Sequence, residues 1–591
     1  MTVSMSFPRS AGAPLALLLA GLVACTTPAP APPQPSARGV FPPVPAKPPA
    51  SAPAAPRAPA VEAPVPVAPK AAASAASGPY PAAVAARFPD PPVSYRTPAF
   101  QPGRTAFTTN EEVQAVLRGL AQEGRAGGTT ARLLLLGSSQ TGVPLQALLF
   151  TRQADAEAAA LLRSGRPTVL LVGQQHGDEP AGSEALLAIA QELAGGRLEP
   201  LLDRLNVIVL PRANPDGARD MRRVTAGGID ANRDHLLLKT PEAQAQAQLV
   251  REYRPAVVVD AHEYTVAGRY LEKFGALQRV DAMVQYATIA NLPPLVTRAA
   301  EEWFRQPLVA RLKAEGLSTE WYYTTSADDL ADKKVSMGGV QPDNGRNVNG
   351  LRNAVSFLIE TRGVGIGRLH FLRRVHTHVT AIASILQSAA DRSDDILKLR
   401  QFVDNEVSAS ACQGELVVEA APTPSEYVLP MLDPQTGADR PVPVAWDSSL
   451  ALRATKVRPR PCGYWLANSQ SDAVRRLRAL GVNVQQLAQD GDLRAEAYRE
   501  TAREEGVRSD VRGSIADMGG IVKVKVETVP ALIDVKAGGY YVPLDQPLAN
   551  LIGAALEPDT QSSYLSHRIV DSVDDVARVM SPPAVKLTPV P

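Results

Sequence analysis

Thr168-Val169-Leu170-Leu171-Val172-Gly173-Gln174-Gln175-His176-Gly177-Asp178-Glu179-Pro180 is the stretch on which the fold turns. The run from Thr168 to Val172 lacks polar alternation, so it reads as a strand buried on both faces. A polar turn follows. Ala181 to Leu193 then carries helical spacing, with Pro180 at the first helical position, where its missing N–H costs nothing. Buried strand, polar loop and helix in that order form the unit of an α/β sheet.

The pattern recurs on both sides of this stretch. Arg132 to Leu136 and Leu145 to Phe150 read as neighbouring strands joined by the turn Gly137 to Gly142. Val207 to Leu210, Val257 to Val259 and Ala354 to Ile359 read as further buried strands, and Val375 to Leu386 as a helix. Together they predict an α/β fold over residues 108–392, a mixed, largely parallel sheet with helices on both faces. Polar clusters stand after four of these strands: His176 to Glu179, Arg212 to Gly217, Asp260 to Tyr264, and Glu360 to Gly363. That carboxyl end is where open α/β sheets bind ligands.

The residue types suggest a metal. A catalytic zinc takes three ligands from His and carboxylate side chains and keeps a place for water. His176-x-x-Glu179 offers an imidazole and a carboxylate to one ion, and His262 offers a third ligand from another strand end. Taken singly, the pair also reads as a solvated turn, and His262 as a hydrogen-bonded histidine. Their shared position at strand ends makes the set stronger than its parts.

The order of motifs resembles the zinc metallocarboxypeptidase family, carboxypeptidase A type. The carrying residues are His176/Glu179, Asn214-Pro215-Asp216-Gly217, Arg222-Arg223, Asp230-Ala231-Asn232-Arg233, His262 and Glu360-Thr361-Arg362. The resemblance implies one Zn2+ ion held by His176, Glu179 and His262, a ligand set for which carboxypeptidase A is itself a known instance. It implies Asp230 as the partner orienting His176, and Arg222 or Arg223 (Arg223 favoured) as the cation for the oxyanion. Asn232 and Arg233 would grip the terminal carboxylate of a peptide substrate, and Glu360 would be the general base. The family's substrate-closing Tyr is absent from Met337 to Asn347; Tyr322 or Tyr323 is the alternative, and Arg346 offers a second substrate contact. His370, His376 and His378 are expected on a helix surface, and His235 near the site without a role.

Composition sets the bounds. The chain has 591 residues and a net charge of +1, with 45% hydrophobic and 20% charged residues. That is globular composition with room for two or three domains. The neutral balance speaks against nucleic acid as a partner. With Cys at only 3 positions, it is neither a disulfide scaffold nor a thiolate zinc protein.

Residues 1–24 read as a signal peptide, with Arg9 ahead of an apolar run from Ala11 to Ala24. Leu22-Val23-Ala24-Cys25 resembles the bacterial lipobox. This implies lipidation at Cys25, a membrane anchor and a periplasmic catalytic domain, with Thr26 favouring the outer membrane. Residues 25–95 are Pro/Ala-rich and read as a disordered tether. An oxidising envelope permits a disulfide between Cys412 and Cys462, two separate thiols being the alternative.

Residues 405–591 read as a smaller accessory domain, β-rich or α/β, without a catalytic constellation. Four functions compete: removal of C-terminal residues from peptides, trimming of cell-wall peptides by an amidase of the same fold, deacylation of N-acyl amino acids, and lipid-anchored binding without catalysis. Intact Asn214 to Gly217 leans away from the deacylase, and the complete ligand set with Glu360 leans away from pure binding.

Overall fold

The apolar runs assemble into one central sheet. The computed structural model describes residues 80–123, 128–326, 329–507, 509–510, 513–514, 520–560 and 562–590. The signal peptide (1–24), the lipidation site Cys25 and the tether up to residue 79 therefore lie outside the described residues. The central strands are β1 Thr130–Ser138, β2 Pro144–Thr151, β3 Thr168–Gly173, β4 Asn206–Leu210, β5 Val257–Thr265, β6 Ala282–Tyr286, β7 Thr319–Trp321 and β8 Val355–Val364. Their order across the sheet is β1-β2-β4-β3-β5-β8-β6-β7. The β4-β3-β5-β8 centre is parallel, while β1, β2 and β6 bring antiparallel pairs at the flanks.

Both faces of this sheet are covered, which explains the unbroken apolar strands. Odd positions such as Val169, Leu171, Val207 and Val257 share a cluster with Leu186 and Ile189 of α2 (Pro180–Gly195) and with Ile382 and Ile385 of α5 (Phe371–Asp391). Val113 and Leu117 of α1 (Asn110–Glu123) join the same layer. Even positions such as Leu170, Val172, Ile208 and Val258 pack on Leu249 and Tyr253 of α3 (Pro241–Tyr253). The two-residue alternation of a strand thus feeds two cores.

The tether is shorter than composition suggested. Tyr80, Val84 and Phe88 are buried in a cluster with Tyr264 and Leu429, and the guanidinium of Arg362 lies 3.7 Å over the Phe88 ring. Three apolar side chains at intervals of four anchor residues 80–95, although the surrounding Pro and Ala mask them in any average.

The C-terminal part is less separate than expected. Glu415–Leu432 and Asp439–Pro459 form a long hairpin, yet Asp439–Pro459 pairs in parallel with Lys334–Met337, and Glu415–Leu432 pairs with Leu277–Gln278. This five-stranded sheet is built jointly with the catalytic region. A second, seven-stranded sheet uses residues from Gly463 to Pro589. Cys412 and Cys462 are joined as a disulfide at its base. Among the described residues, no helix is long and apolar enough to cross a membrane.

Candidate active site

Strand register sets the geometry. His262 near the end of β5 is paired with Glu360 on β8, and Gly173 at the end of β3 with Ala261. The loop after β3 then carries His176 and Glu179 over the same sheet edge. That loop is braced by the Asn214–Gly217 turn. Asn214 accepts from Gly217 N at 2.9 Å and donates to Gln175 O at 3.1 Å. A Cβ on Gly177 would lie 1.9 Å from Gly217, so only glycine permits this contact.

His176, Glu179 and His262 are buried, and their ligand atoms lie within 4.8 Å of one another. His176 Nδ1 and His262 Nδ1 approach to 3.0 Å and stand 2.8 Å from opposite oxygens of Glu179. On the other side of each ring, His176 Nε2 donates to Asp230 at 3.0 Å and His262 Nε2 donates to Asp260 at 2.8 Å. Ionised carboxylates only accept, so each Nε2 directs its proton outward, and with a metal bound each Nδ1 would offer its lone pair inward. Burial raises Asp230, but Arg223 and His176 outweigh it and leave the acid well below its ordinary range. For Asp260, His262 likewise outweighs burial. Converging lone pairs around a carboxylate form a donor set suited to one zinc ion.

Several expected roles become specific. Arg223 lines the cleft, donating to Asp230 at 3.0 Å and to Glu179 at 3.3 Å, whereas Arg222 is exposed. Glu360 is 3% exposed and lines the same cleft, as does Arg233. Asn232 also lines it, but its amide is committed within the protein. Its Oδ1 accepts from Gly345 N at 2.8 Å, and its Nδ2 donates to Asp260 at 3.5 Å. Of the two tyrosines, Tyr322 reaches the cleft, while Tyr323 is 2% exposed inside the core.

Other residues enter unannounced. His378 was expected on a surface, but it is fully buried, its Nε2 donating to the carbonyl of His262 at 3.1 Å. His370 and His376 are partly buried as well, against Tyr80 and Tyr95 respectively. Glu263 pairs with the buried Arg374 at 2.7 Å, and its own N–H donates to Glu179 at 3.0 Å. His235 acts at one remove, through Gln175 Oε1 at 2.7 Å to Asp260. Asp260 was legible in principle, because residues two apart on a strand share a face with each other.

The cleft encloses about 230 Å³. One wall comes from the joint five-stranded sheet, including Pro422 of the C-terminal hairpin. A larger cavity of about 520 Å³ lies behind the loop Val340–Pro342, toward the C-terminal sheet, and holds none of the ligand residues.

Fold and site together define a zinc metallohydrolase, with a two-His, one-Glu ligand set at the carboxyl edge of a mixed α/β sheet. Residues 125–365 match the family described as zinc carboxypeptidase, and that match supports a metallocarboxypeptidase enzyme. It is 29% identical over 411 residues to carboxypeptidase 2 of Trichophyton equinum, covering 68% of this chain and 74% of that one. It is 27% identical over 510 residues to carboxypeptidase 2 of Trichophyton rubrum, covering 83% and 91%. An alignment that long extends beyond the catalytic region into the C-terminal part. A metallo-carboxypeptidase structure from Burkholderia cenocepacia aligns at 16% identity, covering 48% of this chain and 69% of its own, with a TM-score of 0.34.

Proposed function

We propose that the protein removes single residues from the C-terminus of peptides. The observation carrying this reading is one cleft lined by His176, Glu360, Arg223 and Arg233, with Glu179 and His262 converging on the same point. His176, Glu179 and His262 would hold one zinc ion, which when bound supplies Lewis acidity to a scissile carbonyl and acidifies a water molecule. Glu360 takes the proton of the attacking water and returns it to the leaving amine. Arg223 sets a fixed cation beside the oxygen on which negative charge develops. Arg233 holds the substrate's terminal carboxylate, a task suited to a planar guanidinium. The His378 and Asp260 contacts keep His262 in one orientation and one tautomer.

The test is digestion of a blocked peptide library by the zinc-loaded protein, read by mass spectrometry. Ladders shortened one residue at a time from the C-terminus are expected. Internal cleavage, or release from cell-wall peptides alone, would overturn the reading. The envelope location rests on Leu22 to Cys25. Palmitate incorporation into the wild type and not into Cys25→Ser is the result expected of a lipid anchor.

A further inference from the structure

Arg346 is the second residue of α4 (Gly345–Leu351), and its side chain is 4% exposed in the wall of the catalytic cleft. Its Nη2 donates to Gly339 O at 2.9 Å, and its Nε to Asn347 Oδ1 at 3.4 Å. Its Nη1 lies against Gly338. A Cβ there would stand 2.9 Å from Nη1 and 2.7 Å from the Tyr322 ring, so a glycine leaves the room that this guanidinium occupies. Burial lowers Arg346 to about 10, which still leaves it a cation at neutral pH.

Among the described residues, Arg346 makes no ion pair. The two carboxylates in the cleft wall are Glu360 and Asp343. Of the charges around it, Arg233 repels it, while Glu360 and Asp260 attract it through space. The surrounding wall offers Tyr322, Thr324, Ser336, Met337 and Leu358, none of them charged. A buried cation that makes no direct ion pair is costly, and here the cation lines a cavity open to substrate. The cleft thus presents two guanidiniums, of which Arg233 already suffices for a terminal carboxylate.

We infer that Arg346 reads the side chain of the substrate's last residue, and that the cleft takes peptides ending in Glu or Asp. Arg346 holds the side-chain carboxylate while Arg233 holds the terminal one. The inference rests on the carboxypeptidase reading above.

The experiment compares kcat/KM on blocked dipeptides that differ only in a C-terminal Glu, Gln or Leu. Gln matches Glu in shape and lacks its charge. For the wild type, a preference for Glu over Gln of about 30-fold or more is expected, the scale of a buried charge pair. Arg346→Gln should bring that ratio close to one, and Arg346→Lys should restore part of it. A wild-type ratio near one overturns the inference, and this outcome is readable even if Arg346→Gln fails to fold. Equal losses on all three substrates in Arg346→Gln also overturn it, because they would mark a brace for the loop or a second contact to the terminal carboxylate. Release from none of the three peptides defeats the carboxypeptidase reading itself, and this inference with it.

Discussion

Glu360 and His262 are register partners on the adjacent parallel strands β8 and β5. Partners across a parallel pair share a face, so the proposed metal ligand and the proposed general base stand side by side on rigid backbone. Glu360 is not one of the three ligands. Glu360→Gln is therefore expected to keep zinc and lose about 10²- to 10⁴-fold in kcat, the usual span of general acid–base catalysis. Zinc content by atomic absorption beside steady-state kinetics checks both halves. Loss of metal together with activity would contradict the assignment.

Asp260 accepts from His262 Nε2, Gln175 Nε2 at 2.6 Å and Asn232 Nδ2 at 3.5 Å, so it fixes the ring from behind. Partners of this kind are commonly worth about 10- to 100-fold in metal affinity. Asp260→Asn should weaken zinc binding by that factor in a chelator competition. Asp230→Asn should do the same through His176. An unchanged affinity in both variants would show that packing alone orients the rings.

The sheet was legible because buried parallel strands are unbroken apolar runs, as at Val169 to Val172 and Val257 to Val259. The site was legible because its chemistry sits at the ends of those runs. What stayed hidden depends on contacts distant in sequence. His378 looks like one polar residue in an Arg-rich helix, and only the packing of α5 on the sheet brings it to the carbonyl of His262. Asn232 sits in a two-residue motif that implied a substrate grip, and nothing in that motif announces that its Oδ1 also accepts from Gly345 N at the start of α4. The accessory region reads as a domain packed on the catalytic one, and its shared sheet stayed hidden because pairing between Lys334–Met337 and Asp439–Pro459 leaves no local signal in either segment. Tyr80, Val84 and Phe88 were lost in a composition dominated by Pro and Ala.

Acid should destabilise the fold through His370. Burial, with Arg362 close by, lowers this histidine from 6.5 to about 4, and its Nε2 is buried without a hydrogen-bond partner among the described residues. Above pH 6.5 the group is neutral in both folded and unfolded chains and contributes nothing to pH dependence. As pH falls from 6.5 toward 4, the unfolded chain binds the proton first, so stability is lost across that window, by up to about 3 kcal/mol. His370 has φ 56°, a left-handed conformation that Asn tolerates well. His370→Asn should flatten that part of the stability–pH profile in urea titrations between pH 7 and 4. A profile identical to the wild type would assign the acid sensitivity elsewhere.

The disulfide ties the end of the helix Ser393–Ala409 to the first strand of the C-terminal sheet, Gly463–Leu466. It closes a loop of 50 residues that contains the whole hairpin Glu415–Pro459, and that hairpin supplies Pro422 to the cleft. Closing a loop of this length removes chain entropy from the unfolded state worth about 4 kcal/mol in the simplest treatment. Cys412→Ser/Cys462→Ser should lower the stability by about 2–4 kcal/mol in denaturant unfolding, and reductant should reproduce the shift in the wild type only. Because Pro422 forms part of the cleft wall, the variant should also show a raised KM with little change in kcat. Reductant that leaves the wild-type midpoint in place would show that the hairpin is held by its pairing with Lys334–Met337 and Leu277–Gln278 rather than by the covalent bond.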